Sequence, residues 1–235
     1  MKIFLAGATG AIGRRLTLLL CRAGHEVVGT TRSQTKAAAL SALGATPAVV
    51  DVYDAARLRL ALDAARPDIV IHQLTDLPQV IEPDTLEAAL AANARLRIEG
   101  TRNLVDAALS LGVRRMLAQS IAFAYAPGEG TLTEDHPINP AQTGVIALED
   151  ALTKARGIDG VVLRYGRLYG PGTWTPVPNG AAPLHVDAAA HAALLALTKA
   201  RPGIYNIAED DGAVSSEKAT REFDFDANFR IGEAP

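Results

Sequence analysis

Three glycines spaced three residues apart, Gly7, Gly10 and Gly13, follow directly on the apolar run Ile3-Phe4-Leu5-Ala6. They lead into apolar residues at helical spacing, Ile12, Leu16, Leu19 and Leu20. Strand, turn and helix thus meet without a spacer, which suits the binding of a pyrophosphate. Gly7 takes the turn at the strand's end, Gly10 lets the backbone approach the phosphates, and Gly13 lets the helix lie close to the strand. With Thr9, Ala11 and Ile12, the loop and helix start offer unpaired N–H groups to an anion. A second site follows at the end of the next strand, Thr30-Thr31-Arg32. An acidic residue there would take the ribose hydroxyls of NAD, whereas a basic one suits the extra phosphate of NADP. Arg32, with Ser33 and Lys36, stands there without a carboxylate, so NADP is expected ahead of NAD. Further along, Ser120 ends an apolar run at the same rim. The five histidines show no metal-ligand spacing with Cys21, so no metal is expected, and neither a Gly-x-Ser-x-Gly elbow nor a phosphate loop ending in Gly-Lys-Ser/Thr is present.

These residues need a scaffold that brings several strand ends together. The sequence predicts strands at 3–6, 25–30, 46–50, 68–72, 115–119 and 160–164, and a last one at 203–207. Helices fall between them, including a capped one after Ser33, a long one over 82–111 stopped by Gly112, and one over 141–156. The strands are apolar without polar alternation, as a parallel sheet covered on both faces demands. The fold class is therefore α/β, a doubly wound parallel sheet of the Rossmann type, with ligands at the carboxyl ends of the strands. Those ends are the loops at Gly7, Thr31, Asp51-Val52 and Gln73-Leu74-Thr75. Residues 1–165 form the dinucleotide-binding domain. Residues 166–235 supply a small substrate-binding region interleaved with the last helix and strand. The glycine- and proline-rich stretch 170–183 forms the mouth of a substrate cleft, with Trp174 as a wall, and the tail after Glu209 docks as a cap.

Bulk properties narrow the class further. With 235 residues the chain buries one substantial core. A net charge of -3, with 21% charged residues and no basic block, argues against nucleic acid as a partner. The single cysteine, Cys21, reads as a small buried residue and fits a reducing compartment. Met1 runs straight into the first strand and no apolar run reaches spanning length, so a cytoplasmic protein without membrane contact is expected.

Taken together, the motifs resemble the extended or atypical branch of the short-chain dehydrogenase/reductase superfamily, the NAD-dependent epimerase/dehydratases. GATGAIG is similar to that family's GxxGxxG loop, Asp51-Val52 to its adenine-contacting pair, and Gly100-Thr101-Arg102-Asn103-Leu104 to its GTxNL segment. Leu163-Arg164-Tyr165-Gly166 with Leu168-Tyr169-Gly170-Pro171-Gly172 resembles its LRxxxxYGPG, and His185-Val186-Asp187 matches the stretch before its penultimate helix. The catalytic pattern departs from the family. Its members place a tyrosine and a lysine four residues apart, with a glutamate four further on. Aligning that glutamate with Glu149 puts Ala141 and Val145 at the proton-handling positions, and neither can transfer a proton. Arg97 replaces the family's fourth-helix asparagine, although Asn93 lies one turn earlier. Alignment through Tyr125 places Ile121, not Ser120, at the usual hydroxyl position.

Two functions follow from the resemblance. One is an NAD(P)-dependent oxidoreductase or epimerase-like enzyme acting on a carbonyl or hydroxyl of a small polar molecule, such as a sugar nucleotide, with Ser120 orienting and Tyr125 supplying the missing acid. Asp135 and His136 are further titratable candidates, and a packing role for Tyr125 and a simple turn bond for Ser120 stand beside these roles. The other is a dinucleotide-binding sensor without turnover. The resemblance also implies a homodimer paired through the long helices.

Overall fold

The computed structural model describes residues 1–78, 80 and 82–232. Strands β1 (Lys2–Ala6), β2 (Glu26–Thr31), β3 (Thr46–Val49) and β4 (Ile69–His72) alternate with helices α1 (Ala11–Arg22), α2 (Gln34–Ala42) and α3 (Ala55–Ala65). After β4 come α4 (Leu86–Arg95), a π-turn (Leu96–Gly100), α5 (Thr101–Ser110), β5 (Arg115–Ile121), α6 (Thr143–Thr153) and β6 (Asp159–Tyr165). A short pair, β7 (Arg167–Tyr169) and β8 (Pro183–His185), leads to α7 (Val186–Lys199), β9 (Gly203–Ile207) and α8 (Glu217–Phe223). The main sheet has seven strands in the order β3-β2-β1-β4-β5-β6-β9, and each neighbouring pair is parallel. The doubly wound sheet is therefore present, with its carboxyl ends along one rim.

Burial explains the unbroken apolar strands. Ile3 and Leu5 face a core shared with α1, α2 and α7, while Phe4 and Ala6 face a second core built with α3, α5 and α6. Each fully buried leucine or isoleucine contributes about 1.5–3 kcal/mol relative to exposure. In α7, Ala188, Ala189, Ala190, Ala192 and Ala193 are all fully buried, and side chains this small let the helix lie close against its neighbours.

Several boundaries differ from the sequence expectation. The long helix over 82–111 is one rod in four pieces, opening with a 3-10 turn at Pro83–Thr85 and changing to π geometry at Leu96–Gly100. It does end at Gly112, whose φ of +75° glycine tolerates best. β5 runs on to Ile121, so Ser120 belongs to the strand and not to a turn after it. Ser33 stands at the N-cap of α2 but makes no side-chain cap bond; its Oγ lies 2.7 Å from Thr35 Oγ1 instead. Cys21 is half-buried, not fully buried, because it sits at the flank of α1 facing Gly44.

The tail divides between two places. α8 packs on α7 and β9, and Phe223 and Phe225 are buried in the α1–α7 core. α8 thereby covers α7 and β9, while other parts of the tail reach the segment that follows β6: Asp211 accepts from the Ala182 N–H, Glu209 accepts from the Tyr169 hydroxyl, and Arg230 donates to that hydroxyl. What flanks the substrate side is a small cluster of Ala122, Tyr125, Ala182, Ala208 and Val214, tied by the bridges Tyr125–Ile138 and Leu132–Val214. Residues 233–235 of the expected cap lie outside the described residues.

Candidate active site

The glycine turn is shaped by contacts that a side chain would break. Gly7 has a φ of +88°, and a Cβ there would lie 2.6 Å from the backbone carbon of Gln73. At Gly13 a Cβ would overlap the Gly7 carbonyl oxygen, so this glycine sets how closely α1 meets the turn. Gly10 differs: a Cβ would meet only the Gly7 oxygen, at 3.4 Å, and would otherwise point into open space. As the N-cap of α1 it brings no side chain to cap the first N–H groups. An anion is the natural partner for such a helix start. Beside the turn, buried Gln73 leaves its Oε1 without a hydrogen-bond partner among the described residues. A dinucleotide fits both features, its phosphates suiting the helix start and its hydroxyl or carboxamide donors suiting the Gln73 oxygen.

The turn opens into a cleft of about 1080 Å³ along the carboxyl rim. Gly7, Thr9, Gly10, Ala11, Ile12, Arg32, Asp51, Val52, Leu74 and Ser120 all line it, whereas Gly13 lies beneath it and Ser33 beside it. At one end Arg32 pairs with Asp76 at 3.0 Å and is more than half exposed, and Lys36 stands nearby on the wall. The Asp51 carboxylate accepts from the Tyr53 N–H, and Asn103 of the GTxNL segment donates to the Val52 carbonyl, fastening that loop to α5. Asn93 is turned to the loop after β4, where its Oδ1 accepts from the Asp76 N–H at 2.9 Å.

At the other end a buried polar chain crosses from β5 to β9. Ser120 Oγ donates to Glu149 Oε1 at 2.7 Å, and Arg164 clamps both oxygens of Glu149 at 2.9 and 2.7 Å. Arg164 also donates to Tyr125 Oη at 2.8 Å, and Tyr125 donates to Asn206 Oδ1 at 2.6 Å. Burial pushes the Tyr125 phenol up, against the pull of Arg164. Tyr125 is buried and does not line the cleft, and its hydroxyl is engaged on both sides; the Ser120 hydroxyl is likewise spent on Glu149. Tyr125 thus stands behind the cleft wall and Ser120 on it, with both hydroxyl protons directed at other side chains. Asp135 and His136 lie on the outer loop, where His136 Nδ1 accepts from the Thr133 N–H. Ala141 is exposed ahead of α6 and Val145 is buried within it. His72, fully buried at the end of β4, faces Thr101 Oγ1 at 3.1 Å and accepts from the Leu74 N–H; burial and then the charge of Arg97 pull it down to about 4.

The far wall is apolar and basic. Trp174 lines the cleft and donates its Nε1–H to the Pro78 carbonyl at 3.0 Å, joining the 170–183 segment to the loop after β4. Arg167 lies over the Phe123 ring at 4.5 Å. Arg14, Arg97 and Arg167 all line the cleft, and none of them pairs with a carboxylate among the described residues.

Residues 3–199 match the model of the NAD dependent epimerase/dehydratase family. The chain belongs to this family. It is 38% identical to a 3-diazoavenalumate denitrifying reductase from a Streptomyces species, over 92% of this chain and 79% of that protein. Among solved structures it is similar to UDP-glucose 4-epimerase from Thermotoga maritima, with a TM-score of 0.80 at 17% identity, covering 98% of this chain and 94% of that one. UDP-glucose 4-epimerase from Thermus thermophilus, solved as a complex with NAD, gives a TM-score of 0.74 at 22% identity, covering 94% and 81%. These structural likenesses carry the fold, and family membership together with the reductase relative supports an NAD(P)-dependent enzyme.

Sequence reasoning missed the ion pair between Arg32 and Asp76, the Glu149–Arg164 clamp and the cations at 14, 97 and 167. Arg97 carried a signal, since it stands three residues before Gly100 where the family pattern has an asparagine. The others meet only through the tertiary fold, and no local spacing announces them.

Proposed function

We propose that this chain is an NADP(H)-dependent reductase whose small-molecule acceptor needs no proton from the protein. The observation that carries the reading is a glycine turn fit for a dinucleotide, joined to a reacting end whose serine and tyrosine hydroxyls are already committed. A reduced nicotinamide bound in the cleft supplies two electrons as hydride. Thr9, Gly10, Ala11 and Ile12 hold the pyrophosphate, with Gly7 and Gly13 shaping the turn. Arg32, with Ser33 and Lys36, receives the extra phosphate of NADP in place of the Asp76 carboxylate. Asp51, Val52 and Leu74 line the adenine side.

Chemistry on a carbonyl or hydroxyl, sugar nucleotides included, asks for a group that gives or takes a proton. Ala141 and Val145 offer none, and Ser120 and Tyr125 are tied within the fold. An acceptor that gains a hydride on carbon while a bond to a leaving group breaks makes no such demand. A diazonium is of this kind: the new C–H bond takes the hydride's electrons, and the C–N electrons leave with N₂. The name of the 38% identical relative supports this class.

Nicotinamide absorbance followed against an arenediazonium salt, UDP-glucose, aldehydes and ketones, each with a protein-free control, tests the reading. Protein-dependent NADPH consumption with the diazonium alone, retained in Tyr125→Phe, is expected. Turnover of an aldehyde or UDP-glucose that is lost in Tyr125→Phe contradicts it. Binding without turnover across the panel selects the sensor, which the absent Tyr/Lys pair also favours. A homodimer through the α4–α6 face is part of the same reading, supported by exposed Ile98 and Leu109; light scattering at the mass of one chain would exclude it.

A further inference from the structure

Of the three cleft arginines without a carboxylate partner among the described residues, Arg14 and Arg167 are exposed and Arg97 is not. Arg97 stands on the π-turn, mostly withdrawn from solvent, and makes no hydrogen bond or ion pair with any described residue. Burial pulls its guanidinium down, while Glu149 on α6 holds it up. Its own charge in turn depresses His72 at the end of β4. The π-turn packs against α6, and Arg97 shares the cleft lining with Asn93, Gln142 and Ser120. The contrast with Arg164 is direct: that buried guanidinium is fully met by Glu149 and Tyr125.

A desolvated charge left unpaired is costly, and the cost is offset only when an anion arrives. A guanidinium fork matches a carboxylate bidentately. The phosphates of a dinucleotide already have partners elsewhere, in the glycine turn and at Arg32 and Lys36. The cleft lining includes the apolar Leu90, Leu96, Ile121 and Leu168 and the aromatic Phe123 and Trp174.

We infer that Arg97 anchors a carboxylate on the acceptor, so that the substrate is a small carboxylate with an apolar body. This rests on the reading of the cleft as a cofactor site. Arg97 thereby supplies a positive charge to the cleft from the π-turn, whereas Val145 on α6 is buried and carries none. Its part is binding and placement, since it has no proton to give at neutral pH.

Calorimetry tests the anchor without turnover. Cinnamate and its neutral isostere cinnamamide are titrated into the protein saturated with NADP. Wild type should bind cinnamate about ten- to hundredfold tighter than cinnamamide. Arg97→Met should erase that preference while NADP affinity stays within about twofold, and Arg97→Lys should keep part of it. Equal binding of the two probes, or no cinnamate binding by wild type that does bind NADP, overturns the anchor. A preference surviving in Arg97→Met, or loss of NADP affinity with the preference intact, overturns it as well. Failure of NADP to bind at all overturns the cofactor reading on which it stands.

Discussion

At the scale of single residues, charge decides most of the chemistry. Arg32 is held by Asp76 across an exposed 3.0 Å pair, and such surface pairs stabilise by at most about 1 kcal/mol. A phosphate dianion is the stronger partner, so Arg32→Ala should weaken NADP about ten- to hundredfold while leaving NAD unchanged, measured by calorimetry. Unaltered NADP affinity would remove Arg32 from the site. His72 carries a pH signature. Its ring stays neutral when folded, with a pKa lowered from 6.5 to about 4, so the unfolded chain binds more protons between those values. Its contribution to stability is present above about pH 6.5 and is lost as pH falls through 4, at no more than about 1.4 kcal/mol per pH unit. Urea midpoints at pH 7 and pH 5 should differ less in His72→Gln than in wild type; equal differences would contradict the assignment.

Among the elements, the buried Glu149–Arg164 pair joins α6 to β6, and through Ser120 and Tyr125 it reaches β5 and β9. Glu149→Gln leaves a buried guanidinium without its counter-charge, so a loss of about 3–5 kcal/mol is expected in chemical denaturation. A loss under about 1 kcal/mol would mean that solvent reaches the pair. The parallel sheet was legible because strands buried on both faces read as unbroken apolar runs, and because the turn at Gly7–Gly13 is local. The π-turn was not legible. Leu96 and Leu104 continue a helical pattern across it, and the change of hydrogen-bond period leaves no mark in residue spacing. α8 was missed because seven polar-rich residues gain their order from Phe223 packing on α7, a tertiary effect.

For the molecule as a whole, the cleft unites residues from nine segments between Ala6 and Asn179, and only its glycine-turn end lies within one stretch of sequence. That end was readable in advance. The reacting end was not, since which hydroxyls are free depends on a network spanning Ser120 to Asn206. No helix among the described residues is long and apolar enough to cross a membrane. The central claim, that the glycine turn grips a nicotinamide dinucleotide, is tested most directly by titrating NADPH into wild type and Gly10→Val by calorimetry, with thermal melts alongside. Gly10 has an extended backbone, and a side chain there meets one atom at 3.4 Å before pointing into the cleft. The account predicts one NADPH bound per wild-type chain, and no binding by Gly10→Val at an unchanged melting temperature. Equal NADPH binding by the two proteins, or none by wild type, would contradict it.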